Sequence, residues 1–130
     1  MSETYDWRKY ADKRLGELLA RSRFLGRKRV LDSVKTPKHL LLFKILYEVS
    51  EMLYEEGVVG YYQLVYYNIA RMVFKRVWLT GLDKIYDIYE YVKSSRGWAK
   101  DCDDRIAHKI IEIIKRELER NIEIVEASRR

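Results

Sequence analysis

Two histidines, one cysteine and a run of acids are the residues whose types could support catalysis or metal binding, and their spacing argues against both. His39 opens one helical segment and His108 lies inside another. Neither has a Ser or Cys placed to form a nucleophile and base. Cys102 lies beside Asp101, Asp103 and Asp104, but Cys102 and His108 are six apart and share a helix face poorly, so a capped helix start explains the cluster better than a metal site. A single cysteine also excludes an intramolecular disulfide and a CxxC pair. No GxxxxGK[ST], GxGxxG or HExxH occurs, so nucleotide hydrolysis and zinc proteolysis lack support. The expectation is a protein that is not an enzyme and carries neither cofactor nor metal.

The stronger chemical signal is phosphate binding. Residues 1–40 hold 11 Lys or Arg against 5 Asp or Glu, a net of +6, whereas residues 41–130 hold 15 of each. The whole formal charge of the 130-residue chain therefore sits on its first third. The cations are weighted to arginine (Arg8, Arg14, Arg21, Arg23, Arg27, Arg29) and interleaved with Tyr5, Trp7, Tyr10 and Phe24. That composition suits a polyanion, with counterion release supplying affinity regardless of base sequence.

The elements that must position this segment are helical. Thr36-Pro37 pairs a capping residue with the chain's one proline, which suits a first helical turn. Apolar residues at three-four spacing predict helices over 38–56, 61–79, 82–95 and 101–125, with glycines at the breaks. Their inward stripes include Leu42, Ile45, Val49 and Met52, then Leu64, Val65, Ile69, Met72 and Val73, then Ile85, Tyr86 and Tyr89, then Ile106, Ile110, Ile114 and Leu118. Patterns of 14 to 25 residues are too long for strands, though the β-prone stretch 58–67 is the weakest assignment. The expected architecture is all-α: a basic helical arm over 1–36 and an antiparallel four-helix bundle over 37–130.

Eleven tyrosines against one Gln and two Asn, amid many Glu, Lys, Arg and Ile, fit a hot environment. Tyr61-Tyr62 and Tyr66-Tyr67 are adjacent pairs, and neighbours on a helix point about 100° apart, so some of these rings are expected to face outward. With Trp78, Tyr89 and Trp98 they are the candidate subunit-interface residues. The longest stretch without Asp, Glu, Lys or Arg, 57–70, is short of a membrane span, and MSETYDWRKY lacks the apolar segment of a signal peptide, so synthesis in the cytoplasm is expected.

A basic helical N-terminal arm, a break at Thr36-Pro37 and a tyrosine-rich four-helix body resemble the major capsid proteins of filamentous archaeal viruses, the rudivirus, lipothrixvirus and tristromavirus group. The resemblance is one of layout over the whole chain. It implies an arm that wraps double-stranded DNA sequence-independently, capsid chains that pair as a dimer with a like or paralogous chain, and helical stacking into a filamentous virion around A-form DNA. Arg8, Lys9, Lys13, Arg14, Arg21, Arg23, Arg27, Lys28, Arg29, Lys35 and Lys38 would line the DNA, through phosphate contacts rather than base edges. Asp6, Asp12, Glu17 and Asp32 interrupt that basic stretch. The alternative is the helical small subunit of a type III CRISPR effector, which binds RNA and would carry basic residues on the bundle itself. A helix-turn-helix regulator fits poorly, because the arm contains no Asn or Gln to read bases.

Overall fold

The computed structural model describes residues 36–128, and all of this part that is regular is helical: among the described residues there is no strand. Five helices follow in order, α1 Pro37–Glu55, α2 Tyr61–Thr80, α3 Ile85–Ser95, α4 Asp104–Arg120 and α5 Ile122–Ser128. Of the expected arm over 1–36, residues 1–35 lie outside the described residues.

The start of α1 follows from its sequence. Thr36 is extended (φ −143°, ψ 162°), and its hydroxyl oxygen accepts the His39 backbone N–H at 3.2 Å, with proline in the first turn. At the other end Gly57 adopts φ +73°, and its N–H donates to the Tyr54 carbonyl while that of Val58 donates to Leu53. This is the Schellman arrangement, which satisfies two orphan carbonyls and needs a left-handed residue after the cap.

The same arrangement ends α3. Gly97 (φ +69°) donates to Ser94 and Trp98 to Lys93, at 3.2 and 3.1 Å, which fixes Arg96 and Trp98 on either side of the glycine. A Cβ at position 97 would meet nothing within 4 Å, so its cost is conformational. Gly97→Ala is expected to lower stability by about 1–2 kcal/mol without a steric clash, measurable by urea unfolding.

The final helix departs from expectation in two places. It begins at Asp104 rather than 101, because Asp103 takes the cap position and its carboxylate accepts the Arg105 N–H at 2.9 Å, while the Asp101 N–H turns back to Trp98. It also breaks at Asn121, whose side-chain amide donates to the Glu117 carbonyl at 2.7 Å, a side-chain bond that competes with the continuing backbone ladder. α3 likewise starts late, at Ile85, after a turn in which its N–H reaches Leu82.

The core lies where α1, α2 and α4 meet, with α3 covering α2 and α4, and α5 packing on α1 and α4. Leu41, Ile45, Val49 and Leu53 of α1 and Ile106, Ile110, Ile114 and Leu118 of α4 are buried, and the two helices pack on each other. On α2 the buried face is rotated from the expected stripe: Leu64 is 57% exposed and Met72 only partly covered, while Tyr66, Tyr67, Phe74 and Trp78 are buried. Three neighbouring helices enclose α2, so it buries a wider arc than the single stripe of a surface helix.

Candidate nucleic-acid interface

Of the eleven expected DNA contacts, Arg8, Lys9, Lys13, Arg14, Arg21, Arg23, Arg27, Lys28, Arg29 and Lys35 lie outside the described residues. Lys38 is described. Its ammonium stands 5.8 Å from the centroid of the Trp78 ring, a cation–π contact that ties the start of α1 to the C-terminal part of α2. The chain therefore enters the body beside that end of α2.

The aromatic candidates divide. Tyr61 and Tyr62 are both exposed and stand edge to face, with centroids 5.7 Å apart, and Trp98 is half-buried. Tyr66, Tyr67, Trp78 and Tyr89 lie in the core of the chain itself. The outward-facing rings expected of these pairs are Tyr61 and Tyr62, whereas Tyr66 and Tyr67 are both buried, because α2 is enclosed on several sides. Polar tips explain why tyrosine serves there: the Tyr66 hydroxyl accepts the Asp103 N–H at 2.9 Å, which holds the turn before α4. The Tyr89 hydroxyl donates to Asp104 at 2.5 Å and stands 3.6 Å from the Cys102 sulfur. Burial and the Asp104 contact push the Tyr89 hydroxyl far above its ordinary range, and burial also raises the Cys102 thiol. Both stay protonated, in keeping with a structural role. His108 makes T-shaped ring contacts with Tyr86 and Tyr89, and His39 sits in the first turn of α1. Among the described residues no cluster of three or more His, Cys, Asp or Glu is placed to hold a metal ion. No helix among them is long and apolar enough to cross a membrane.

Charges on the α1–α4 side neutralise one another. Glu56 receives Arg105 at 2.8 Å and Lys109 at 2.6 Å, and these hydrogen bonds hold its carboxyl down at about 2. Arg116 bonds Glu48 at 3.1 Å, and Lys44 meets Glu117 at 2.6 Å with Glu117 wholly buried. A groove of about 710 Å³ between these helices has its cations already paired and adds Glu51, Glu55 and Glu112, so it offers nothing to a phosphate.

Glu48 and Glu117 form a pair of carboxyl groups across the helices. Burial, then the hydrogen bond to Glu117, pushes Glu48 from 4.5 up to about 7. Burial also acts against the Glu117 charge, but hydrogen bonds from Lys44 and Glu48 hold that carboxyl below its ordinary value. The folded state thus keeps a proton on Glu48 that the unfolded chain releases above 4.5, so its contribution is full below 4.5 and is lost as pH rises through about 7. Glu48→Gln is expected to flatten the decline of melting temperature between pH 5 and pH 8. Parallel profiles for parent and variant would show that Glu48 titrates normally.

The opposite side of α2 is different. Asn68, Arg71, Lys75 and Arg76 follow one another at helical spacing on a face turned away from the core, and Arg96 and Trp98 stand across from them. They line a groove of about 670 Å³. Among the described residues no carboxylate lines it, and Arg71, Lys75 and Arg96 make no ion pair. The Arg76 guanidinium lies 4.5 Å from the centroid of Tyr91 on α3. Nothing in the sequence brings Arg96 to Arg71, Lys75 and Arg76, because a neutral total over 41–130 hides a local excess. The signal was nonetheless present: residues 57–82 contain these three cations and no carboxylate.

Compared with protein-family models, curated proteins and solved structures, the chain finds no match.

Proposed function

We propose that the chain is a structural DNA-coating subunit, of the kind that forms the major capsid protein of filamentous archaeal viruses. A basic N-terminal arm wraps double-stranded DNA without regard to sequence, and an antiparallel four-helix bundle forms the wall. Subunits pair with a like or paralogous chain and stack into a helical filament, the virion, with no catalytic step and no cofactor. One observation carries this reading: the net charge of +6 is confined to residues 1–40, ahead of a helical body whose charges on the α1–α4 side pair with one another. Sequence-independent coating needs phosphate contacts, and that division of charge supplies them. Tyr61 and Tyr62, whose rings are exposed, are the tyrosines of the expected interface still free to meet a neighbouring subunit.

A second reading, an RNA-binding small subunit of a type III CRISPR effector, gains support from the α2 cations that are unpaired among the described residues, since it calls for basic residues on the bundle.

The experiment is electron microscopy of the full-length protein mixed with duplex DNA or single-stranded RNA, alongside the variant Arg21→Glu with Arg27→Glu. Regular filaments on duplex DNA that disappear in the variant are the expected result. Tight binding by the variant at about 150 mM salt would remove the arm from the account, and a preference for RNA would favour the second reading.

A further inference from the structure

We infer that the α2 groove bounded by Arg71, Lys75, Arg76 and Arg96 is a second nucleic-acid contact, a site on the body that takes the phosphodiester backbone of a strand whose other phosphates are held by the arm.

Four observations converge on it. First, all four cations are exposed, and Arg71, Lys75 and Arg96 are unpaired among the described residues, whereas on the α1–α4 side Arg105, Lys109 and Arg116 meet carboxylates at 3.1 Å or less. Four like charges beside one groove repel one another, a cost that an anion between them would relieve. Second, the cations are held on different elements that the fold positions firmly. Arg71 and Lys75 are one helical turn apart on α2, about 6 Å along the axis, while Arg96 is set by the turn at Gly97. Third, Arg76 stacks one face on Tyr91, which leaves the N–H edge of its guanidinium for phosphate oxygens, the geometry in which arginine differs most from lysine. Fourth, the groove lies beside the place where the arm joins the body. Lys38 reaches Trp78, and the next residue, Leu79, lines the groove.

The groove has more room than a free phosphate ion fills. The groove has about 670 Å³, and Trp98 supplies a flat partly exposed wall against which a sugar or base can rest. The contacts available are to charge and ring face, so the site adds affinity and path rather than base discrimination.

This inference rests on the reading that the chain binds nucleic acid through its arm, and the test separates the two. Full-length parent, the groove variant Arg71→Gln with Lys75→Gln, a charge-matched control Lys84→Gln with Lys115→Gln, and the arm variant Arg21→Glu with Arg27→Glu are titrated with duplex DNA and with single-stranded RNA across a salt series. Neither control lysine lines the groove. Circular dichroism melting establishes that each variant is folded. Two lost phosphate contacts should lower the slope of log affinity against log salt by about 2, so that the parent gains roughly tenfold more than the groove variant between 200 and 50 mM salt. The control should keep the parent slope.

A groove variant with the parent slope overturns the inference, and the coat reading survives if the arm variant still loses binding. An equal loss in the control assigns the effect to net charge and also overturns it. A reduced slope in the groove variant combined with parent-like binding by the arm variant keeps the groove and removes the arm. A parent that binds neither nucleic acid overturns both.

Discussion

Lys44→Met is expected to destabilise the body by about 3–5 kcal/mol, because it leaves the Glu117 carboxylate buried without its ammonium partner. Lys44 and Glu117 meet at 2.6 Å with side-chain exposures of 8% and 0%, so water cannot take over the lost contact. Arg116 and Arg120 approach Glu117 at 3.9 and 3.5 Å, but both are largely exposed and hold the charge less closely. For a body of this size the loss corresponds to a drop in melting temperature of more than about 10 °C. The double variant Lys44→Met with Glu117→Leu is expected to recover most of it, since an apolar pair of similar volume can replace a buried ion pair at little net cost. Thermal melting of the parent, both single variants and the double variant closes the cycle. A loss below about 1 kcal/mol for Lys44→Met would show that the contact is solvated and that α1 and α4 are joined by apolar packing alone.

The second large effect concerns binding. If the arm engages about 6 to 10 phosphates, affinity for duplex DNA is expected to fall by roughly 10³ to 10⁵ between about 50 and 200 mM salt. Eleven cations within residues 1–40 are enough for that number, even with five acids among them. The effect should be equal for unrelated DNA sequences, because phosphate contacts carry no base information. A dependence of tenfold or less over the same range would mean that few phosphates are contacted, and the charge of the arm would then serve a different partner. Measuring two unrelated sequences at each salt concentration tests both statements together.

Helix placement shows how far local pattern carries. Of the stripe read for α1, Ile45 and Val49 are buried, whereas Leu42 and Met52 are only partly covered. Thr36 and the glycines at 57, 81 and 97 mark boundaries because capping and left-handed turns depend on residues within a few positions of one another. The break at Asn121 was harder to see, since it turns on one amide choosing the Glu117 carbonyl over solvent. The rotation of α2 was not legible at all. Leu64 and Tyr66 are both compatible with a buried position, and which is covered depends on where α1, α3 and α4 lie around the helix.

The candidate sites divide in the same way. The charge partition is a property of composition and order, so it is complete in the sequence and independent of any fold. The groove required Arg96 to meet Arg71, Lys75 and Arg76 across 20 residues of chain, and only the packing of α3 on α2 places them together. The Glu48–Glu117 pair is a still longer contact, because its carboxyl groups lie on helices separated by two others in sequence. By itself the sequence determined the helical class, most of the helix ends and the basic first third, all of which follow from interactions between near neighbours. The tertiary structure decided which tyrosines are buried, which carboxyl holds a proton near neutrality and which cations lack a carboxylate partner among the described residues, because burial and Coulomb energy depend on distances through space that residue spacing does not contain.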